Sequence, residues 1–262
     1  MKFFNKPISL TSNEFIFHLK RENIIKDKSC YCGRLDPMAR GEILVLEGNE
    51  CKQMKKYLNN DKIYEFIIVF GMSTDTDDIM GLFKNDSSST NFSLLKQEKI
   101  YKEKLKNSIK NILNNSMQKF HKYSSYVLRK EGKRKPLWKW EMNGNLKENE
   151  IPSKKIKVYN FEELEKYNAD LNILLNKWIE NINNVNRRHK FRQNKIIEQY
   201  KTLLYQVNEQ NKVREENMKV LCVKYKIKAS SGFYVRQLIC DLKREIEYPI
   251  LVYDINRINI II

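Results

Sequence analysis

The order of apolar and polar positions in the first third of the chain predicts a short helix followed by buried strands. Phe15, Ile16 and Leu19 recur at helical spacing and would share one face of a helix that begins near residue 12. The runs at 43–46, directly after Glu42, and at 66–70 are short, continuous and apolar, a pattern that predicts buried strands. The N-terminal part of the chain therefore mixes helix and strand.

The rest of the chain continues this mixture without a regular alternation of strand and helix. Residues 161–217 contain almost no Gly or Pro and are predicted to be helical throughout. Residues 219–229 alternate as a strand does, 234–246 are amphipathic at helical spacing, and the serine-rich 87–90 predicts a flexible break. The expected fold class is α+β, built around a mixed sheet.

Composition narrows the possible classes of protein. The 262 residues carry 49 Lys+Arg against 32 Asp+Glu, a formal net charge of +17, and 41% of them are hydrophobic. That apolar content supports a folded core, and no run approaches the roughly 20 apolar residues that span a bilayer. The Lys-rich composition is typical of an AT-rich genome, such as that of a large DNA virus, a protist or an AT-rich bacterium. Even if part of the net charge reflects the composition of the genome, the charge favours a nucleic-acid partner.

The positive charge is concentrated in one segment. Residues 119–139 carry eight Lys or Arg and one Glu, whereas residues 162–217 carry ten basic and nine acidic side chains. Ring side chains are interleaved with the cations of the first segment: Phe120, His121, Tyr123, Tyr126, Trp138 and Trp140. We therefore expect residues 119–139, and not the long helical segment, to contact nucleic acid.

Cysteine usage and acidic clusters say little in favour of a metal site. The five cysteines are an odd number at low density, and no secretory signal precedes them, so a reduced, cytoplasmic compartment is expected. Asp75, Asp77 and Asp78 could hold Mg²⁺ as in a nuclease, but a hydrogen-bonded turn is the favoured interpretation. No metal and no cofactor are predicted.

Three residues stand out as candidates for chemistry. Asp36 lies in an Asp-Pro turn ahead of a buried strand, where the flanking Arg34 and Arg40 would keep it ionised. As an ionised carboxylate it is a candidate nucleophile, with a plain turn as the alternative. Tyr64 would share a strand face with Lys62, either as a platform for a base or as part of the core.

Arg236 is the third candidate. It follows a glycine turn and stands at the start of a predicted helix, where the helix dipole disfavours a cation. We therefore expect a specific anionic partner for Arg236, a carboxylate or a phosphate, with an ordinary surface arginine as the alternative. The neighbouring Tyr234 is either part of the core or part of the same site.

Six short motifs occur along the chain in a characteristic order. They are Lys6-Pro7-x-x-x-Thr11-Ser12, GRLDPMARG at 33–41, Lys62-x-Tyr64, Gly71-x-x-Thr74-Asp75-Thr76-x-Asp78-x-x-Gly81, Tyr123-Ser124-Ser125 with Gly132-Lys133 downstream, and Ser231-Gly232-x-Tyr234-Val235-Arg236. Together they resemble the TruB family of pseudouridine synthases, which modify the uridine at position 55 in the tRNA T-loop. The resemblance covers roughly residues 4–160 and 218–260.

The resemblance implies a pseudouridine synthase fold and a set of site residues. Asp36, Tyr64 and Arg236 match the family's catalytic positions. Substrate-binding side chains are expected at eight further positions: Tyr31, Tyr234, Lys6, Lys52, Lys62, Tyr123, Lys133 and Arg134. The implied partner is RNA, either the tRNA T-arm or a T-loop-like stem-loop, from which the target uridine is flipped out. No membrane partner is implied, and the protein is expected to be a monomer in the cytoplasm, that of the host if the source is viral.

The resemblance also implies an organisation for the chain. We expect a single catalytic domain over 1–262, with a thumb-like RNA-gripping insertion at 118–150 and a helical insertion at 161–217. The C-terminal PUA domain of the bacterial enzymes is expected to be absent. Tyr31 replaces a histidine that is common in the family, which leaves open an alternative function: a catalytically impaired RNA-binding homologue that acts as a tRNA or RNA chaperone. A magnesium nuclease and a basic coat protein are more remote alternatives.

Overall fold

The computed structural model describes residues 1–83, 92–189 and 191–261, and the break predicted at 87–90 lies outside these ranges. The strands are β1 (Lys2–Lys6), β2 (Ser29–Cys32), β3 (Ala39–Glu47), β4 (Asp61–Phe70), β5 (Met117–Lys119), β6 (Val127–Lys130), β7 (Lys133–Pro136), β8 (Ser153–Lys155), β9 (Val158–Asp170), β10 (Lys219–Ala229) and β11 (Ile250–Ile261). The α-helices are α1 (Ser12–Arg21), α2 (Met54–Leu58), α3 (Leu94–Ile100), α4 (Lys106–Asn114), α5 (Leu137–Met142), α6 (Leu171–Asn183), α7 (Gln193–Arg214) and α8 (Val235–Ile246).

Seven of these strands form one sheet at the centre of the molecule. Their order is β1-β3-β11-β4-β10-β9, and β2 pairs with β3. Neighbouring strands are antiparallel, except that β11 runs parallel to β3. The expected α+β fold class with a mixed sheet is therefore confirmed, and the sheet is mainly antiparallel.

The second half of β4, residues 66–70, is continuously apolar because helices cover both faces of the sheet there. Val69 on β4 packs with Trp178 and Tyr200 of α6 and α7, which form one apolar cluster. Ile68, the next residue on β4, packs with Leu238 of α8 in a second cluster on the opposite face. Successive strand residues point to opposite faces, so a strand covered on both sides needs apolar residues at every position.

The helical segment is shorter than expected, because the prediction of helix over 161–217 is wrong at its start. Residues 158–170 form β9, the edge strand, which pairs antiparallel with β10. Glu165 and Glu162 of β9 lie opposite Lys224 and Lys226 of β10, so the charges of this stretch are balanced across the sheet. The side-chain types favour a helix locally, but pairing with a neighbouring strand overrides that preference.

A fork in the sheet shapes the loop that follows β2. Both β2 and β11 pair along β3, β2 with residues 44–47 and β11 with residues 39–41. The buried Arg257 of β11 fills the gap, where its Nε donates to Glu42 O at 2.7 Å and its NH2 donates to Gly33 O at 2.9 Å. This arginine thereby fixes the start of the loop that carries Asp36.

Residues 117–155 form a smaller unit beside the main sheet. β6 and β7 make a hairpin, and β5 pairs with β8 at the base of the unit. Trp140 of α5 is buried, and its Nε1 donates to Leu128 O on the hairpin at 3.3 Å. Within the described residues, none of the helices is both long enough and apolar enough to cross a membrane.

Candidate active site

The loop between β2 and β3 holds Asp36 in a defined turn. Ala39 N donates to Asp36 O at 3.0 Å, which closes the turn that the Asp-Pro pair predicts. The hydroxyl of Ser12, at the start of α1, exchanges hydrogen bonds with the backbone of Leu35 at 2.9 and 3.1 Å. The N-terminal helix therefore fixes the residue that precedes Asp36.

Arg236 is the partner of Asp36. It is the second residue of α8 and is buried, with its Nε 2.9 Å and its NH2 2.8 Å from Asp36 Oδ2. Burial would lower the pKa of Arg236, but the carboxylates of Asp36 and Asp78 outweigh it and raise that pKa further. The expectation that this helix-start arginine has a specific anionic partner is thus confirmed.

A second buried carboxylate, on Asp78, lies beside the same arginine. Its Oδ2 is 3.5 Å from Arg236 Nε, and its Oδ1 accepts hydrogen bonds from Thr76 Oγ1 at 2.6 Å and Met80 N at 2.9 Å. Burial raises the pKa of Asp78 to about 6, although Arg236 opposes that shift. Sequence reasoning placed Asp78 only in a hydrogen-bonded turn, and its contact with Arg236 depends on the tertiary fold.

The other two aspartates of this turn have partners of their own. Asp77 is buried between the ring of His121, whose Nε2 is 3.0 Å from Oδ2, and the ammonium group of Lys243. Asp75 accepts two hydrogen bonds from Arg192, at 2.6 and 3.2 Å. The favoured interpretation of this segment as a hydrogen-bonded turn is therefore confirmed, and its carboxylates point toward separate cations instead of one common centre.

Aromatic rings surround the Asp36–Arg236 pair. Tyr64 from β4 and Tyr234 from the turn before α8 line a cavity of about 50 Å³ together with both members of the pair. Tyr64 and Tyr234 also line a larger groove of about 960 Å³, to which Tyr31 contributes. Burial raises the pKa of Tyr234, so its phenol stays neutral at physiological pH. The structure thus brings the predicted residues 31, 36, 64, 234 and 236 into one cleft.

Two contacts that sequence reasoning missed hold these tyrosines. The side chain of Gln118 accepts from Tyr234 N at 2.8 Å and donates to Tyr234 O at 3.2 Å, so it clamps the backbone of the tyrosine. Tyr31 donates its hydroxyl proton to Asn13 Oδ1 at 2.6 Å. Gln118 lies on the short β5 strand, and nothing in its local sequence indicates a partner more than a hundred residues away.

Tyr123 lies on the opposite side of the pair. It lines a separate pocket of about 250 Å³, which Asp36, Asp78 and Arg236 also line. Its hydroxyl donates to Asp75 Oδ2 at 3.0 Å, and its carbonyl oxygen lies 3.4 Å from NH2 of Arg236. Tyr123 therefore contacts the site through both its side chain and its backbone.

Two of the lysines expected to bind substrate are engaged in internal hydrogen bonds. Lys6 is 1% exposed and donates to Pro7 O at 2.8 Å and Leu10 O at 2.7 Å; burial lowers its pKa to about 7. The ammonium group of Lys6 is therefore directed at the backbone, and its expected contact with substrate stays a prediction. Lys62 lines the large groove, but its ammonium group donates to the carbonyls of Leu58 and Asn60 and burial lowers its pKa to about 8.

The remaining basic candidates are exposed. Lys52 lies on a 3-10 turn after β3, and Lys133 and Arg134 lie on β7. Of the two arginines expected to flank Asp36, Arg34 lines the cavities around it. Arg40 instead pairs with Asp254, at 2.8 and 3.1 Å, so its expected role beside Asp36 is wrong. The strand period explains this result, because Arg40 already belongs to β3 and points away from the turn.

Comparison with known proteins identifies the class. Residues 20–177 match the TruB family pseudouridylate synthase N-terminal domain, and the chain therefore belongs to the TruB family. It is 33% identical over 170 residues to tRNA pseudouridine synthase B of Caldanaerobacter subterraneus subsp. tengcongensis, covering 65% of this chain and 54% of that protein. It is 31% identical over 140 residues to the protein of the same name from Blochmanniella floridana, covering 53% of this chain and 49% of that protein.

These matches are partial. The protein named tRNA pseudouridine synthase B from Endomicrobium trichonymphae is 32% identical over 96 residues, covering 37% of this chain and 41% of that protein. The chain thus spans about half the length of the curated relatives it matches. Among solved structures, a chain of a Cbf5-Nop10-Gar1 complex superposes with a TM-score of 0.47 at 15% identity, covering 98% of this chain and 47% of that chain.

Proposed function

We propose that this protein isomerises a uridine to pseudouridine in a folded RNA, with uridine 55 in the T-loop of tRNA as the favoured target. The observation that carries the proposal is the ion pair between the half-buried Asp36 and the buried Arg236, which faces a cavity lined by Tyr64 and Tyr234. Membership of the TruB family supports the reaction, and relatives named tRNA pseudouridine synthase B support tRNA as the substrate class.

The reaction needs a carboxylate that stays ionised beside the substrate. The bond between the ribose and N1 of the base must break, the base must turn, and the ribose must bond to C5, which gives up its proton as N1 gains one. Both Arg236 contacts go to Oδ2 of Asp36, so we assign the other oxygen, Oδ1, to the substrate. There the carboxylate acts on the anomeric carbon or on the base, while the guanidinium of Arg236 holds the carboxylate in place through Oδ2.

The target base must leave its stack to reach this carboxylate. Unstacking costs a few kcal/mol, and aromatic side chains that replace the lost stacking offset part of that cost. We assign this role to Tyr64 and Tyr234, which line the small cavity with Asp36, and to Tyr31 at the edge of the large groove. In a route through a glycal intermediate, Tyr64 would also serve as the base.

The exposed β6–β7 hairpin supplies the grip on the RNA backbone. Arg129 lies opposite Arg134 and Lys130 lies opposite Lys133, so like charges face each other across the two strands. Such pairs destabilise an isolated hairpin, and a bound phosphate backbone would relieve the repulsion. We therefore assign the unit at 118–150 to RNA binding, as a thumb beside the cleft.

A mapping experiment on unmodified RNA tests this function. The protein is incubated with a tRNA transcript and with an isolated T-arm stem-loop, with and without EDTA, and pseudouridine is mapped at each position. We expect one modified uridine, at position 55, that persists in EDTA. A transcript that carries cytidine at that position should give no product.

Two variants separate synthesis from binding. Asp36→Asn should lower the rate of product formation at least about 10³-fold while the RNA dissociation constant stays within about threefold. Asp27→Asn, which neutralises an exposed aspartate two residues before β2, is the matched control and should keep full activity. Tight RNA binding by the wild-type protein without any product would instead favour the chaperone alternative, and cleavage that EDTA abolishes would favour a nuclease.

A further inference from the structure

The helical pair, α6 with α7, lies mostly beyond the family match. The match ends at residue 177, so the second half of α6 and all of α7 lie beyond it. Trp178 and Tyr200 are completely buried in the apolar cluster that covers one face of the sheet. The pair is therefore an integral layer of the fold. Because both helices are packed, the described residues of the segment that connects α6 to α7 have a defined place in the structure.

That connection reaches the active site. Phe191 and Arg192, which directly precede α7, line the 250 Å³ pocket that Asp36 and Arg236 also line. The helical pair is also attached to the N-terminal segment, since Ser9 Oγ donates to Asn181 O of α6 at 2.7 Å. One wall of this pocket is thus built from residues outside the matched region.

Arg192 makes the closest contacts of this wall. Its NH1 lies 2.6 Å from Asp75 Oδ2 and its NH2 lies 3.2 Å from Asp75 Oδ1, a two-point pair. Its guanidinium also lies over the ring of Tyr123, 5.4 Å from the ring centre. The backbone at Arg192 is left-handed, with φ 65°, a conformation that costs energy for a residue other than glycine.

Tyr123 links Arg192 and Asp75 to the Asp36–Arg236 pair. Its hydroxyl donates to Asp75, its N–H donates to His121 Nδ1 at 3.2 Å, and its carbonyl accepts from Arg236 at 3.4 Å. At 3.4 Å the last of these is already long, so a small displacement of Tyr123 would break it. Tyr123 is therefore one of the groups that hold the guanidinium of Arg236, together with Asp36, Asp78 and the carbonyl oxygen of Thr76.

We propose that Arg192 is a positioning residue, through which the helical pair holds Asp75 and Tyr123 and so sets Arg236 against Asp36. The proposal rests on the proposed function, since it assigns a role in the same site. Arg192 is neutralised by Asp75 and acts on the reaction through Tyr123, not by contact with the RNA. The helical pair is then a structural extension of the active site and does not add to the RNA-binding surface.

Steady-state kinetics on the full-length protein test this role. Arg192→Ala should lower kcat between about 10-fold and 100-fold, because small misplacements in an active site have effects of this size, with KM changed less than about threefold. Arg192→Lys should recover part of kcat, since it restores a cation near Asp75 without the two-point geometry. Arg188→Ala, which removes an exposed arginine of the same connection, is the charge-matched control and should leave kcat unchanged.

A double-variant cycle tests the route through Tyr123. Tyr123→Phe removes the hydroxyl contact with Asp75, so Arg192→Ala should have little further effect on kcat in that background. If the fold losses in kcat of the two single variants multiply in the double variant, the proposal is overturned. It is also overturned if Arg192→Ala has the same kcat as Arg188→Ala, or if its loss of activity is confined to KM.

The same variants separate this proposal from the proposed function. If the wild-type protein forms no pseudouridine, the proposed function fails, and the coupling is then measured by thermal unfolding of the same four proteins. Non-additive shifts in Tm for Arg192→Ala and Tyr123→Phe would uphold the structural link between them, and additive shifts would overturn it. Arg192→Lys provides the comparison if Arg192→Ala does not fold.

Discussion

The catalytic cleft and the β6–β7 hairpin both depend on positive charge, but they hold it in opposite ways. In the cleft, Arg236 is buried and its guanidinium is matched by the carboxylates of Asp36 and Asp78. On the hairpin, Lys133 and Arg134 are exposed and each faces a like charge on β6. The cleft pairs its buried cation within the protein, whereas Lys133 and Arg134 stay exposed on the hairpin, where Lys130 is the partner that already has a carboxylate, that of Glu150 at 2.8 Å.

The difference shows why net charge is a poor guide to the active site. Residues 119–139 carry a net charge of +7, from eight basic side chains and one acidic, and draw attention to the hairpin. The cleft contributes almost nothing to net charge because its cations and anions are paired. Composition therefore indicates where a polyanion binds, and only geometry indicates where chemistry takes place.

The largest effect is expected from Arg236→Lys, which tests the buried and paired cation of the cleft. Lysine keeps the charge but cannot donate twice to Asp36 Oδ2 while it also lies beside Asp78. We expect kcat to fall about 10²-fold and Tm to fall, measured by pseudouridine formation and thermal unfolding.

The surface offers a matched control for this substitution. Arg40 makes a two-point pair with Asp254 of similar length, but its side chain is 46% exposed. Arg40→Lys should leave kcat within about twofold and change Tm little, because exposed ion pairs contribute little to stability. Equal losses for the two variants would show that the burial of Arg236 is not what distinguishes it.

A smaller effect on function is expected from substitutions on the hairpin, and these should not lower stability. Lys133→Ala with Arg134→Ala should weaken RNA binding about 10-fold and reduce the salt slope of log Kd by about 2, with kcat at saturating RNA unchanged. Because the two substitutions remove like-charge pairs across the strands, Tm should not fall.

The control for the hairpin removes the same charge elsewhere. Lys102→Ala with Lys110→Ala, on exposed positions near α4, lowers the net charge by the same two units and should change the salt slope much less. A similar loss of affinity in both double variants would mean that the overall charge, not the hairpin, holds the RNA.

The last prediction concerns stability alone and a third kind of cation, one that is buried and donates to backbone carbonyls. Burial lowers the pKa of Lys6 to about 7 from 10.5, so between these values the unfolded chain binds more protons than the folded protein. The contribution of Lys6 to stability should therefore rise with pH from 7 to 10.5, by at most about 1.4 kcal/mol per pH unit.

Urea unfolding at several pH values checks this expectation. The free energy of unfolding of wild type minus that of Lys6→Met should increase with pH across the window, whereas the difference from the exposed-site control Lys52→Met should stay flat. Parallel curves for wild type and Lys6→Met would show that Lys6 keeps its proton when the protein folds.

Several features of the fold could be predicted because they depend on local chemistry. The buried strands follow from continuous apolar runs, and the turn at Asp36 follows from the Asp-Pro pair. Arg236 could be predicted to have an anionic partner because a cation at a helix start is unfavourable without one. These signals lie within a few residues of the feature that they predict.

Other features could not be predicted because they depend on distant pairing. The acidic stretch at 162–166 favours a helix by residue type, but β10 supplies lysines opposite it and it becomes a strand. Lys6 resembles a surface cation by type, yet the fold buries it against two carbonyl oxygens. Asp75 and Arg192 are 117 residues apart, and no local pattern connects them.

The sequence alone therefore determined the α+β class, the family resemblance, the turn at Asp36 and the segment where positive charge is concentrated. Each of these depends on residues that lie close together along the chain. Only the tertiary structure decided which carboxylates Arg236 contacts, which lysines are buried, and that the near-neutral helical pair brings Arg192 to the cleft. The physical reason is that burial and pairing are properties of the packed chain, and the partners meet only after the sheet has formed.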